Sequence, residues 1–367
     1  MSRPLVSVII ASYNVAEFLP ISLKALTRQT LKDIEIICVD DASTDDSLKI
    51  LKEFEKKDKR VKVIANKEKT YLSPSVARNI GLKKAAAPYV MFCDADDYYE
   101  PEMCQKMYEV ISKHDADLAV SEINVIYRAH REMKVSDDHY YTLKYSGMKT
   151  VTGDVVMNTD FAPVNKIFKK ELIDEYSLEF PENLKYEDAY FCSAYFCVSK
   201  KVYYINERLY NYVRHAGSIM SQTWSDDKST DYAIDHLEIA FKLYDFLAQY
   251  GLLDKYPQLY WRIFESFLRF ALVNSKSRER VKQVRAMAKD FIAEHADYFA
   301  EAGIGTREAI QKFCSAGPHI NIVQLKRFLI RLMPTYRLEV ANIHSLQALR
   351  NRSQQVYQEI TEYLSNL

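Results

Sequence analysis

Val6-Ser7-Val8-Ile9-Ile10-Ala11 is a β-branched, apolar run that breaks at once into Ser12-Tyr13-Asn14. A run apolar at every position, rather than at alternate ones, is expected of a strand covered on both faces. Next comes a helical pattern from about Ala16 to Gln29, with Phe18, Leu19, Leu23 and Leu26 on one face. Ile34-Glu-Ile-Ile-Cys-Val39 predicts a second strand, ending in Asp40-Asp41. Ser43 or Thr44 suits the cap of a helix whose apolar positions are Leu48, Leu51 and Phe54. Val61-Lys-Val-Ile64, a helix over about 75–86 and Tyr89-Val-Met-Phe-Cys93 complete the series. Strand and helix alternating in short units predict βαβ crossovers and a mostly parallel sheet.

In such sheets a ligand sits beyond the carboxyl ends of the strands. Those ends carry Ser12-Tyr13-Asn14, Asp40-Asp41 and Asp94-Ala95-Asp96-Asp97, so one aromatic and five carboxylates converge on one crevice. Carboxylates at that density repel one another unless a cation is present. All-oxygen ligands suit Mg2+ or Mn2+ better than zinc. Neither a GxxxxGK[ST] loop nor a GxGxxG fingerprint occurs. The pattern fits a nucleoside diphosphate held through a metal, although Asp40 and Asp41 also suit a plain turn.

Composition narrows the classes further. Lys+Arg and Asp+Glu are 50 each in 367 residues, a balance that argues against a nucleic-acid partner. Only 8 glycines rule out collagen-like or linker-rich chains, and 27 tyrosines suit wet packing edges or a polar-aromatic cleft. Six cysteines at 38, 93, 104, 192, 197 and 314 form no CxxC pair, which points to a reduced, cytoplasmic setting. No signal-peptide pattern opens the chain, and no apolar stretch reaches the ~18 residues that span a bilayer.

At these positions the chain resembles the family 2 glycosyltransferases, inverting enzymes of the GT-A fold. The resemblance is carried by Val6-Ser-Val-Ile-Ile-Ala-Ser-Tyr-Asn14, Val39-Asp-Asp-Ala-Ser-Thr-Asp45, Ala77-Arg-Asn-Ile-Gly81 and Asp94-Ala-Asp-Asp97. Tyr186-Glu-Asp-Ala-Tyr-Phe191 and Tyr212-Val-Arg-His-Ala-Gly-Ser-Ile219 extend it to about residue 220. It implies a GT-A (Rossmann-like) α/β domain over 1–220, with a nucleotide-binding half (1–100) and an acceptor half (101–220). By the same resemblance Tyr13 flanks the nucleotide base and Asp41 hydrogen-bonds it. Arg78 faces the base or diphosphate, and Asp94 lies by the ribose. Asp96 reaches the metal, Mn2+ or Mg2+, with Asp97 and His215 as further ligands. Asp188 is the implied general base and Glu187 the runner-up. Asn165-Lys166 precedes a strand-like pair and reads more simply as carrying a surface lysine.

The implied activity is transfer of a sugar from a nucleotide-sugar donor, UDP-linked, to a hydroxyl of a glycan or lipid-linked acceptor in capsule-type surface polysaccharide synthesis. Two departures from the family pattern stand out: no glycine precedes the Ala-Arg-Asn motif in Thr70-Tyr-Leu-Ser-Pro-Ser75, and Ala85-Ala-Ala-Pro88 replaces a glycine-containing turn. Competing expectations are a non-catalytic nucleotide- or glycan-binding module and a sugar-phosphate nucleotidyltransferase. The second normally has a glycine-rich phosphate loop after strand one, unlike Ser12-Tyr-Asn-Val-Ala16.

Residues 221–367 read as a helical C-terminal region, with Ile234-Leu237-Phe241-Tyr244 and Tyr260-Ile263-Phe264-Phe267 at helical spacing. Leu325-Lys-Arg-Phe-Leu-Ile-Arg-Leu-Met333 is basic and amphipathic, fit either to lie on an anionic membrane surface or to pack on the main domain. Leu346, Leu349, Ser353, Val356, Ile360, Tyr363 and Leu367 give about three heptads, for pairing two chains as a homo-oligomer or docking on the same chain.

Overall fold

The structure is a computed structural model that describes residues 3–70, 73–129, 132–139, 143–215, 232–256, 258–275 and 277–301. The expectations placed on 325–333 and 346–367 lie outside the described residues. The chain divides into two compact units, one of 1–216 with 245–252, the other of 217–244 with 253–367.

In the first unit β1 (Val6–Ser12), β2 (Ile34–Asp40), β3 (Val61–Ala65) and β4 (Tyr89–Asp94) lie parallel in the order β3-β2-β1-β4. Every residue of β2 is buried, as its unbroken apolar run requires. The crossovers are α1 (Leu19–Thr27), α2 (Ser47–Lys57) and α3 (Ser75–Lys84). Helix α1 starts three residues later than its pattern predicts, because Pro20 fits only the first helical turn.

The sheet is mixed beyond β4, a departure from the mostly parallel expectation. β9 (Lys166–Lys169) runs antiparallel to both β4 and β6 (Leu118–Ala129). β10 (Lys201–Arg214) is parallel to β6, while β5 (Tyr98–Tyr99), β7 (Glu132–His139) and β8 (Gly147–Thr150) add antiparallel pairs. Strands such as β5 and β9 are too short to show a period in the sequence. Among the described residues the sheet has ten strands, in the order β3-β2-β1-β4-β9-β6-β10-β5 with β7 and β8 as side branches. Around it lie α4 (Met103–Lys113), α5 (Gly153–Met157), α6 (Lys170–Glu175) and α7 (Glu187–Val198).

Two local devices stand in for glycine. Glu35, 3% exposed, accepts from the Ala86 N–H at 2.7 Å, and Ser7 Oγ accepts from the Ala87 N–H at 3.1 Å. Those bonds hold the 85–88 turn in shape without a glycine. Gly81, in contrast, is required: a Cβ there would stand 2.3 Å from Ile9 Cγ2. The glycine thus lets α3 press directly on β1.

Helix α7 is buried nearly all round, which fits its lack of a polar face. Its Phe191 stacks on Phe180 at 4.2 Å and meets Phe92 at 5.7 Å and Phe168 at 5.4 Å. The second unit contains α8 (Ala233–Gln249), whose last turn belongs to the first unit, with α9 (Leu259–Asn274), α10 (Arg278–Glu294) and α11 (Ala296–Glu301). Its core is aromatic: Phe291 stacks on Phe241 at 4.2 Å and on Phe264 at 5.6 Å. Among the described residues, the expected helical texture is therefore present over 233–301.

Candidate active site

The loop after β1 turns at Asn14, whose φ of 50° lies in the left-handed region that asparagine tolerates better than most residues. Its N–H donates to Ser43 Oγ at 3.0 Å, and its Oδ1 accepts from the Thr44 N–H at 2.8 Å. Ser43 and Thr44 therefore tie the β1 and β2 loops together instead of capping α2, which begins at Ser47 without a side-chain cap. This lock leaves Tyr13 36% exposed at the crevice, with Lys69 Nζ 3.5 Å from its ring centre.

Asp40 and Asp41 part company here. Asp40 is fully buried, and its Oδ2 accepts from the Ser43 N–H at 3.0 Å, which makes it a turn residue. Asp41 accepts from Asn66 Nδ2 at 2.8 Å and Thr70 Oγ1 at 2.7 Å, so the loop after β3 folds onto its carboxylate.

Beyond β4, the Asp94 side chain remains 40% exposed, and Asp96 lies with its Oδ2 3.0 Å from His215 Nε2. The His215 ring rests against Phe18 at 4.3 Å. Residues 119 apart in sequence thus meet as one N,O pair. Asp97, expected as a further metal ligand, points inward instead and is only 2% exposed. Tyr210 Oη donates to its Oδ2 at 2.6 Å and the Val213 N–H to its Oδ1 at 2.7 Å, fastening β10 to the end of β4. Burial, then the charges of Asp96 and Asp94, hold its pKa well above the ordinary carboxylate range. Among the described residues no three His, Cys, Asp or Glu side chains gather as a complete metal cage. The Asp96–His215 pair fits a divalent ion only if a ligand such as a diphosphate supplies further oxygens.

Arg78 departs from its expected place beside a nucleotide. It is 5% exposed, donating from Nη2 to Asp94 Oδ1 at 2.7 Å and from Nη1 to Glu187 Oε1 at 2.9 Å. Burial works against its charge, but Asp94, Glu187 and Asp188 outweigh it and hold its pKa above the usual value. The guanidinium therefore joins the end of β4 to the start of α7. Tyr186, the residue before that helix, has a φ of 64°, a conformation that costs a bulky residue about 1–2 kcal/mol.

Glu187 is buried against Arg78, whereas Asp188, one residue on, is partly open. Burial first, and the adjacent Glu187 charge second, push the Asp188 carboxyl up to about 7; Arg78 and the Ala189 N–H act in the opposite direction. A carboxylate that gives and takes a proton near neutrality suits general base work.

Lys166 is no surface lysine. It is wholly buried, with Nζ 2.7 Å from Asp160 Oδ1, 2.7 Å from the Ala162 carbonyl and 2.9 Å from Asn165 Oδ1. Sequence reasoning also passed over Phe18, Asn66, Lys69 and Thr70. Each acts through a partner far along the chain or on another loop, which no local pattern reveals.

The family model described as "Glycosyl transferase family 2" matches residues 7–177. Glycosyltransferase GlyG of Streptococcus pneumoniae serotype 4 is 30% identical over 59% of this chain and 73% of its own length. The chain belongs to glycosyltransferase family 2. GlyA of the same organism is 32% identical over 60% of this chain, which spans only 32% of that relative's length. The crystal structure of residues 1–349 of S. aureus TarS in complex with UDP-GlcNAc is similar in fold, with a TM-score of 0.54 at 18% identity over 99% of this chain and 92% of that one. As a family 2 glycosyltransferase with the GT-A fold, the protein is a transferase of glycosyl groups.

Proposed function

We propose that the chain is a metal-dependent, inverting glycosyltransferase that moves a sugar from a UDP-linked donor to a hydroxyl of a glycan or lipid-linked acceptor. The observation that carries this is the Arg78 bridge. It sets Asp94, at the rim where the donor is expected, in one cluster with the Glu187–Asp188 start of α7. The uridine assignment is supported by the fold likeness to TarS, whose crystal form holds UDP-GlcNAc.

In this reading Tyr13 flanks the base and Asp41 bonds it after releasing Thr70. Asp94 anchors the ribose side. Asp96 and His215 would hold Mn2+ or Mg2+, which when bound neutralises charge growing on the leaving diphosphate. Asp188 takes the proton of the acceptor hydroxyl as its oxygen bonds the anomeric carbon. The carbon–oxygen bond to the diphosphate breaks as the new one forms on the opposite face, so the configuration inverts. Arg78, Glu187 and Asp97 stay clear of the substrate. The free, buried cysteines among the described residues suit a cytoplasmic enzyme, and a lipid-linked acceptor would bring it to the inner membrane face.

Thermal shifts with UDP, GDP, CDP, TDP and ADP, each with and without Mn2+, test the donor half. A ligand that binds only the folded state raises its melting temperature. A Mn2+-dependent shift with UDP, absent in Asp96→Ala, is expected. Asp188→Asn should keep that shift and lose turnover; near-normal turnover in Asp188→Asn sinks the base assignment.

A further inference from the structure

Arg78 was expected at the nucleotide, yet the polar side chains of Arg78 and Asn79 turn toward another part of the chain. Ser75, Arg78 and Asn79 form one buried face of α3, at 1%, 5% and 2% exposure. All three reach the segment that leads into α7. Asn79 Oδ1 accepts from the Phe180 N–H at 2.8 Å, and its Nδ2 donates to the Phe180 carbonyl at 2.9 Å. A side-chain amide thus pairs both ways with the backbone of one residue, as a neighbouring strand would. Two bonds to one residue fix its orientation as well as its position. Ser75 Oγ donates to the Pro181 carbonyl at 2.8 Å. Arg78 completes the set at Glu187.

We propose that this face of α3 is a positioning device for the base, in which Asn79, seconded by Ser75, sets where Asp188 stands relative to Asp94. The inference rests on the proposed role of Asp188. The path from Phe180 to α7 needs such support. It passes through left-handed backbone at Asn183 and Tyr186, φ 62° and 64°, conformations that persist only when their surroundings over-determine them. The Phe180 ring packs on Phe191 and lies 5.2 Å from the Arg78 guanidinium carbon, so the held segment is seated on α7 as well. Asn79 and Ser75 both bond this segment, and in the proposed mechanism neither meets the substrate. Their loss should therefore act on turnover and not on donor binding.

The test uses the full chain. UDP affinity with Mn2+ is measured by calorimetry. Donor turnover is followed with water as the acceptor, using UDP-GlcNAc, UDP-glucose and UDP-galactose, and continued with whichever the parent chain cleaves. A misplacement of about 1 Å in a catalytic group costs on the order of 100-fold, so Asn79→Ala should lower kcat by about 10- to 100-fold. UDP affinity and donor KM should stay within about twofold of the parent, because differential loss in the transition state appears in kcat. Ser75→Ala, which removes the bond to Pro181 and the 2.6 Å contact with Ser73 Oγ but keeps the Asn79 pair, should lower kcat by a smaller factor and guards against misfolding of the first variant. In an Asp188→Asn background Asn79→Ala should cause no further loss, since a residue acting only through the base has nothing left to position. Folded Asn79→Ala and Ser75→Ala with parental kcat overturn the proposal, as do losses that add fully to Asp188→Asn. A parent that neither binds UDP with Mn2+ nor cleaves a donor, or an Asp188→Asn chain with parental turnover, overturns the functional reading and the positioning role with it.

Discussion

Replacing Glu187 with Gln tests the electrostatic link between the two acids at the start of α7. The amide is nearly isosteric, and its carbonyl oxygen can still accept from Arg78 Nη1, now at 2.9 Å from Glu187. What disappears is a negative charge beside Asp188, whose carboxyl stands at about 7 through burial and then through that charge. The other charged groups acting on it are Arg78 from α3, which lowers its pKa, and Asp94 from β4, which raises it. At an effective dielectric of about 20, a neighbouring unit charge within roughly 10 Å acts with on the order of 2 kcal/mol. At about 1.4 kcal/mol per pH unit, that is a fall of about 1 to 1.5 units in the Asp188 pKa. A weaker base deprotonates at lower pH, so the acid limb of the kcat/KM profile moves to lower pH. Arg78, no longer neutralised by Glu187, pushes in the same direction. The plateau above pH 8 should drop by a few fold, because proton transfer follows base strength. The assay is donor turnover from pH 5 to 9 in parent and variant. An acid limb that stays put, or moves upward, refutes the coupling of Glu187 to the base.

Asp97→Ala removes the acceptor of the Tyr210 hydroxyl and the Val213 N–H. It should cost about 2–4 kcal/mol by chemical denaturation, as for other buried groups left without partners. Mn2+-dependent UDP affinity should survive; its loss in a folded variant would return Asp97 to the metal set. Gly81→Ala forces a Cβ against Ile9 and should cost about 1–3 kcal/mol in thermal or urea unfolding. Combined with Ile9→Ala, the penalty should be smaller than the two single costs together, because each change relieves the other.

The parallel half of the sheet was legible because β1, β2 and β4 are apolar at nearly every position, a pattern set by burial on both faces. The mixed half was not: β5 has two residues, only the strand-like pair Ile167-Phe168 marked the four of β9, and β10 pairs with three different strands. At the site, residue type and position beyond a strand end picked out Asp94 and Asp96, whose side chains are partly exposed at and past the end of β4. Orientation was beyond reach. Asp96 and Asp97 are neighbours with the same side chain, yet one turns to the crevice and the other to Tyr210. Arg78 looked like an anion binder because its charge is visible in the sequence, while Glu187, its partner 109 residues away, is not visible as such. Lys166 shows the same limit in reverse, a lysine whose burial depends on Asp160, Asn165 and the Ala162 carbonyl.

The loop after β3 gives the crevice a resident occupant. Thr70 and Asn66 already satisfy the Asp41 carboxylate, and Lys69 already covers one face of Tyr13. In the proposed reading, an arriving base displaces groups that were bonded and does not fill a dry, waiting slot. Such a trade nets little, since each new hydrogen bond replaces an old one. Most of the donor's grip would then come from the diphosphate end, through Asp96 and His215. Nucleosides without phosphates should accordingly bind poorly, and identity of the base should be read as a difference between two nearly balanced exchanges, with Lys69 freed to meet the solvent or the donor's charge.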